Sequence, residues 1–522
     1  MAFGIKKLAP IVVILAVALW SVWPAVVNPS GVADFGSDGW FINWVMNRQR
    51  KNVSDYIRNP RLDFEDIFQG NIFYPNKNVL AYSELFTLSG LTAYITGFLS
   101  EEPGVVSGAI LVLGQVATML VIYLMWSDLT KNEWASAVGT VAFGLSQIRW
   151  EYQVHLQMWG MQYWLLSSWL LSSWLVDKKH WKLYTGVVLL GLQAWESVLP
   201  VYFAIVTLTI FSIFNFPFGF AWGKQFLKHV LISGVFFGVT VWPVVGVYRS
   251  VARENNFVRT IRDAAAGGTS VDDLVGKFAS PGLYILLVVS VIRLFKSQIS
   301  MSREAKWLAL ILIFGLVMAM GPVLKWRGET VRIGGYPIPL PYAAVYYLVP
   351  GMGAFRTPSR WLWLSGLAGS GLVAIAIGNF QFSIFNFQSI FKLSNFQFRK
   401  LCGLGGCLLV AVVGGARLTR YAPLPRLAQF PAVYKWLATL PGKVIVEFPM
   451  GGDRRESERM YYSLLHNKYL VNGFSGFEPL GWKEWKDKGV DYVVVNKEGF
   501  EIYDLRFMNI MWEDEKYLVL GR

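Results

Sequence analysis

Charge is what this 522-residue chain has least of: 16% of its residues are Asp, Glu, Lys or Arg, against 54% hydrophobic and 16% aromatic. A soluble domain carries about 25% charged residues. The shortfall excludes an ordinary soluble enzyme, and the positive mean hydropathy of +0.40 agrees. Cysteine is almost missing too. The two present, Cys402 and Cys407, share one apolar run without a His or Cys cluster beside them. They read as small buried hydrophobes, and neither a disulfide framework nor a zinc site is indicated. No GxxxxGK[ST], GxSxG or HExxH string occurs, so nucleotide hydrolysis, serine hydrolysis and zinc chemistry have no sequence support.

What is present is a series of apolar runs able to cross a hydrocarbon core of about 30 Å, the signature of an α-helical polytopic membrane protein. Residues 8–28 follow Lys6 and Lys7 and read as a retained signal anchor with its N-terminus cytoplasmic. Further spans are expected at 104–126, 134–148, 158–176, 182–197, 198–214, 229–248, 281–295, 307–324, 360–379 and 401–416. The run 83–99 is borderline. If it spans, the Lys/Arg clusters at 178–182, 224–228, 293–306 and 392–400 all move outside, against the positive-inside rule. It is therefore expected to be re-entrant or to lie in the interface, leaving about eleven spans. The same rule accounts for the net charge of +14 without a nucleic-acid partner. The repeated NFQF strings at 379–398 carry no expected function.

From Tyr421 the composition changes. PAVYKWLATLPG reads as a short amphipathic helix, and KVIVEFP, DYVVVN and KYLVLG read as strands bounded by Gly, Pro or Asp. The expected division is a transmembrane domain over 1–420, with a first outer loop at 29–103, and a small extracytoplasmic α/β domain over 421–522. His466, Asn472 and Glu478 are the polar residues of that tail worth inspecting, each equally a hydrogen-bonded loop residue.

The chemistry-bearing side chains fall on the expected outer face. Asp34 and Asp38 follow the first span. A carboxylate at a membrane rim has its pKa raised toward the range useful to a general base, and Asp is also a favoured helix N-cap; both readings stand for Asp38. Arg356 and Arg360 lie four apart around Thr-Pro-Ser. A guanidinium pair suits a lipid phosphate, and equally the snorkelling of an interface anchor. Arg149 and His155, in a short turn, suit a phosphate or sugar. Glu196 sits at a span junction, where an unpaired carboxylate is costly.

Several strings carry a resemblance. They are GSDGWFINW at 36–44, NIFYPNKNVLAYSE at 71–84, RWEYQVHLQ at 149–157 and LPYAAVYYLVPGMGAFRTPSRW at 340–361. VIVEFPMGG at 444–452 and MYYSLLHNKYLVNGFSGFEP at 460–479 complete the set. With one N-terminal span, an acidic outer loop, many further spans and an outer tail, the chain resembles the GT-C superfamily of integral-membrane glycosyltransferases, in particular an uncharacterised bacterial group. The resemblance implies inverting transfer from a polyprenyl-phosphate sugar, at the outer face of the cell membrane, to a glycan, lipid or protein acceptor of the envelope. It implies Asp38, then Asp34, as the base or acceptor-orienting acid, with Arg356, Arg360 and Arg149 on the phosphate. The mannosyltransferase type has adjacent Asp-Glu at this point, whereas here Asp38 precedes Gly39. No cofactor is implied; a divalent metal, required by the oligosaccharyltransferase branch, would find Asp63, Glu65 and Asp66 in the loop. The alternative is a non-catalytic membrane protein, a lipid or polysaccharide carrier or an assembly factor.

Overall fold

The computed structural model describes residues 5–30, 36–59, 63–215, 223–278, 302–378, 404–407, 424–498 and 508–521. The expected span at 281–295, most of that at 401–416, the 379–398 repeat, Asp34, Cys402 and the 420/421 boundary lie outside these residues. Cys407 is a free, buried thiol.

The chain opens with α1 (Ile5–Ser21) and reaches α2 (Ser37–Arg58), which is capped not by Asp38 but by Gly36 at φ 71°. Then comes α3 (Thr87–Thr96), ten residues long. At about 1.5 Å per residue it covers roughly half a hydrocarbon core, so it is too short to cross. One edge, Leu91, Ile95, Phe98 and Leu99, is exposed while Leu88, Ser89, Gly90 and Ala93 are buried. A Cβ on Gly90 would stand 2.5 Å from Gln49 Cβ, so glycine is what lets α3 lie directly on α2. Gln49 Nε2 donates to Leu85 O at 2.7 Å across the same contact.

Among the described residues three helices are long and apolar enough to cross a membrane. They are α4 (Pro103–Thr130), a helix over Lys224–Glu254, and Pro358–Gly378. Between the first two run α5 (Glu133–Gly144), α6 (Gln147–Glu151), α7 (Gln162–Asp177), α8 (His180–Glu196) and α9 (Leu199–Asn215). The long helix Lys224–Glu254 is α10, and α11 (Arg303–Ala319) precedes α12 (Leu362–Gly378). Six expected spans appear as the shorter helices α1, α5, α7, α8, α9 and α11, of 17, 12, 16, 17, 17 and 17 residues. The long helices differ in surroundings. α10 turns Leu231, Val235, Val239 and Trp242 outward, a stripe that suits acyl chains rather than water. α12 is interior. A Cβ on Gly139 of α5 would stand 2.6 Å from its Ser370 O, the close approach that small residues permit between membrane helices.

The tail is a helix, α13 (Ala432–Thr439), and a five-stranded sheet with one further helix. The strands are β1 (Val444–Phe448), β2 (Tyr469–Leu470), β3 (Tyr492–Asn496), β4 (Asn509–Glu513) and β5 (Tyr517–Gly521), ordered β2-β1-β3-β5-β4. The first three are parallel and the last two antiparallel. α14 (Asp453–His466) connects β1 to β2. The three expected strands are β1, β3 and β5. β2, two residues long, and β4, whose outward row is exposed, gave no readable alternation.

The sheet does not end at β2. Residues 71–74 of the first loop bond to its edge: Leu470 N to Asn71 O at 2.7 Å, Phe73 N to Asn472 O at 3.0 Å and Tyr74 N to Leu470 O at 2.9 Å. An otherwise open edge is thereby covered. α14 lies on α2, with the Trp40 ring 5.2 Å from that of Tyr461 and Phe41 5.6 Å from Phe474. First loop and tail are one packed unit.

Candidate functional site

The packing of α14 on α2 brings the start of both helices together, and Asp38 is there. It occupies the first turn of α2, half-buried, and makes no capping hydrogen bond. The N-cap reading of Asp38 is therefore set aside, since Gly36 takes that place. Burial raises the Asp38 pKa above the usual carboxylate range; Arg356 and Arg360 pull the other way, and Asp453 at the head of α14 pushes it further up.

The two arginines stand differently. Arg360 Nη1 donates to Glu84 Oε1 at 2.7 Å, while its Nε and the other Glu84 oxygen are buried without a hydrogen-bond partner. Arg356 is exposed and makes no ion pair or side-chain hydrogen bond with any described residue. Their segment is fixed by glycine: a Cβ on Gly267 would lie 2.0 Å from Arg356 O, and Ser359 N donates to Gly267 O at 3.3 Å. Arg259 adds a third positive charge that acts on Arg356; its guanidinium lies 4.1 Å over the Phe477 ring and donates to Gly476 O.

His155 faces the same pair of arginines. Burial and the charges of Arg360 and Arg356 push its pKa down to about 3, so the imidazole is neutral. Tyr152, its ring 6.0 Å from that of His155, holds its hydroxyl 3.3 Å from Ser359 Oγ. The cluster thus sets a carboxylate without a hydrogen bond to any described residue in electrostatic range of two guanidiniums, which also act on a neutral imidazole beside a phenol. It has the parts to take a proton from a hydroxyl and to receive a phosphate.

Two expected members are elsewhere. Arg149 is fully buried, donating to Gln115 Oε1 at 2.6 Å, Trp159 O at 2.8 Å and Gly114 O at 3.3 Å, with Trp159 4.1 Å beneath its guanidinium. Its donors are spent on neutral oxygens inside the bundle, which corrects its expected place on a phosphate. Glu196, also buried, accepts from Ser89 N at 2.9 Å and from the Ser89 hydroxyl. It caps α3 from outside, as a carboxylate at a helix N-terminus does, so it too is a structural residue here. Asp63, Glu65 and Asp66 do not converge, and no group of three metal-ligating side chains occurs among the described residues. In the tail, His466 Nδ1 accepts from Lys468 N at 3.0 Å and Glu478 accepts from Trp482 Nε1 at 3.2 Å.

Glu84, Tyr152, Arg259 and Asp453 were not singled out in the sequence. Glu84 had a signal, an acidic residue at the membrane end of the loop that begins with Asp38. Asp453 had none, because 415 residues separate it from Asp38.

No protein-family model matches the sequence, and no curated protein matches it. Solved structures do. The chain is similar to the arabinofuranosyltransferase AftD from Mycobacteria, with a TM-score of 0.54 and 12% identity over 94% of this chain and 36% of that one. It is also similar to the archaeal oligosaccharyltransferase AglB from Archaeoglobus fulgidus, solved with an inhibitory peptide and a dolichol-phosphate. There the TM-score is 0.49 and identity 10%, over 94% of this chain and 69% of that one. The chain spans about a third of the length of AftD. At 12% identity the likeness to AftD is one of fold.

Proposed function

We propose that the chain is a membrane glycosyltransferase that moves a sugar from a polyprenyl-phosphate carrier to an acceptor hydroxyl or amine on the outer face of the cell membrane, by inverting displacement. The observation that carries the reading is Asp38, half-buried, without a hydrogen bond to any described residue and within electrostatic range of Arg356 and Arg360. In this reading about eleven spans form the scaffold over 1–420, the N-terminus is cytoplasmic, and the 421–522 domain is outside.

The Asp38 carboxylate takes the proton of the acceptor as its oxygen or nitrogen attacks the anomeric carbon. The bond from that carbon to the phosphate oxygen breaks, and polyprenyl phosphate leaves with one more negative charge. Arg356, which has no described protein partner, receives that charge, with Arg360 behind it. Charge-aimed donors act where charge develops. A raised pKa matches Asp38 better to a base near neutral pH. Neutral His155 orients a sugar hydroxyl without competing for the phosphate. The loop's hold on the sheet edge supports Asp38 from the tail.

The test is transfer from a panel of radiolabelled polyprenyl-phosphate sugars into membranes lacking or containing the protein. Protein-dependent transfer is expected from at least one donor. No transfer from any donor, with the protein folded and inserted, would favour a carrier or assembly role.

A further inference from the structure

A second polar crevice, of about 480 Å³, opens on the opposite stretch of α2 from Asp38, toward its C-terminal half. Arg48, Lys51, Asp55 and Arg58 line it at helical spacing, Arg50 reaches across α3, and Glu101 closes the far side just before α4 begins. Four cations thus meet two carboxylates, and Asp55 is taken by Lys51 at 3.0 Å. Arg48 Nε is enclosed by protein, with no hydrogen-bond partner among the described residues. An unpaired guanidinium donor inside a protein costs free energy unless something else satisfies it. Gly97 is part of the same construction, since a Cβ there would stand 2.6 Å from Arg50 Nη2.

The surroundings say what the surplus of cations in the crevice would meet. The wall beside the cations is the exposed end of α3, where Phe98 and Leu99 are 75% and 87% exposed. Pro103, which also lines the crevice, is the first residue of the membrane-length helix α4. Exposed apolar side chains next to clustered Arg and Lys at the head of such a helix are the composition of a surface that meets headgroups.

We propose that this crevice binds the phosphate of an anionic phospholipid of the bilayer, Arg48 and Arg58 holding the headgroup while the acyl chains lie along Phe98 and Leu99. The site is separate from the Asp38 cluster and does not depend on glycosyl transfer. It gives the chain a lipid-anchored first loop.

The experiment uses the full chain, purified and delipidated in neutral detergent, with retention of phosphatidylglycerol and phosphatidylcholine read by native mass spectrometry. Phosphatidylglycerol is expected to be held about tenfold more tightly than phosphatidylcholine, the preference falling about tenfold in Arg48→Gln. Arg58→Gln, at an exposed position, serves if Arg48→Gln unfolds in lipid-free detergent, and is expected to reduce the preference in the same direction. Equal retention of the two lipids overturns the proposal. So does a preference unchanged in both variants, or displacement by inorganic phosphate at matching phosphate concentration, which would make this a site for free anion.

Discussion

Two clusters of acid and arginine meet α14, one beside its first residue and one along its length, and they differ in how far the protein closes them. At the head of the helix, Asp38, Glu84 and Asp453 lie among Arg356, Arg360 and Arg259, and Arg356 is open to solvent. Inside the tail, Glu447 and Glu456 share the single Arg459 at 3.3 and 3.1 Å. That cluster is shut: Tyr434 donates to Glu447 at 2.8 Å, Gly451 N to Glu456 at 2.6 Å, and Asn472 bridges both segments. A network enclosed by protein, two carboxylates held by one arginine and by neighbouring donors, is a way of fixing β1 against α14. An open one, with an exposed arginine and a carboxylate that no described residue bonds, leaves room for something that is not protein. The proposed chemistry belongs to the first cluster, and the second holds the tail together.

Substitutions can break that contrast. The largest effect is expected at Asp38→Asn, a loss of at least ~100-fold in transfer with an unchanged unfolding midpoint, because the base is removed without emptying any packed volume. Arg459→Met should do the reverse. It leaves two buried carboxylates uncompensated, costing about 3–5 kcal/mol in denaturant unfolding, and lowers activity only through loss of folded protein. Arg356→Gln should lower the transfer rate about 10- to 100-fold at unchanged stability, since the side chain is exposed and unbonded. The smallest effect is a pH slope. Burial, with Glu456 adding and Arg459 opposing, pushes the Glu447 pKa from 4.5 up to about 7. A pKa raised on folding means the folded state binds the proton more tightly, so stability is full below about pH 4.5 and declines as pH rises toward 7. Glu447→Gln should make that decline shallower, as read by unfolding between pH 4.5 and 8.

Much of this contrast was legible from the chain. The apolar runs told of the three membrane-length helices, alternation told of β1, β3 and β5, and loop charge set 83–99 apart from the spans, where the structure has a ten-residue helix. Asp38, His155, Arg356 and Arg360 were singled out by type and by nearness to a span end, and the structure gathers them. Arg149 and Glu196 were singled out by the same rule and serve as structure. The rule detects costly ionisable groups, but does not tell whether a carbonyl or a ligand meets the cost. Trp159 O and Ser89 do so here, and neither contact has a sequence mark. The docking of 71–74 on β2 was invisible for another reason. It joins segments about 400 residues apart through backbone groups, which every residue carries.

The most direct measurement is the pH dependence of transfer by the protein, by Asp38→Asn and by Arg356→Gln. The account predicts an acid limb from Asp38, absent with the activity in Asp38→Asn. It also predicts that the limb moves to higher pH in Arg356→Gln, because the arginine charge now lowers the Asp38 pKa. Transfer that persists in Asp38→Asn, or a limb that stays where it is when Arg356 loses its charge, would contradict it.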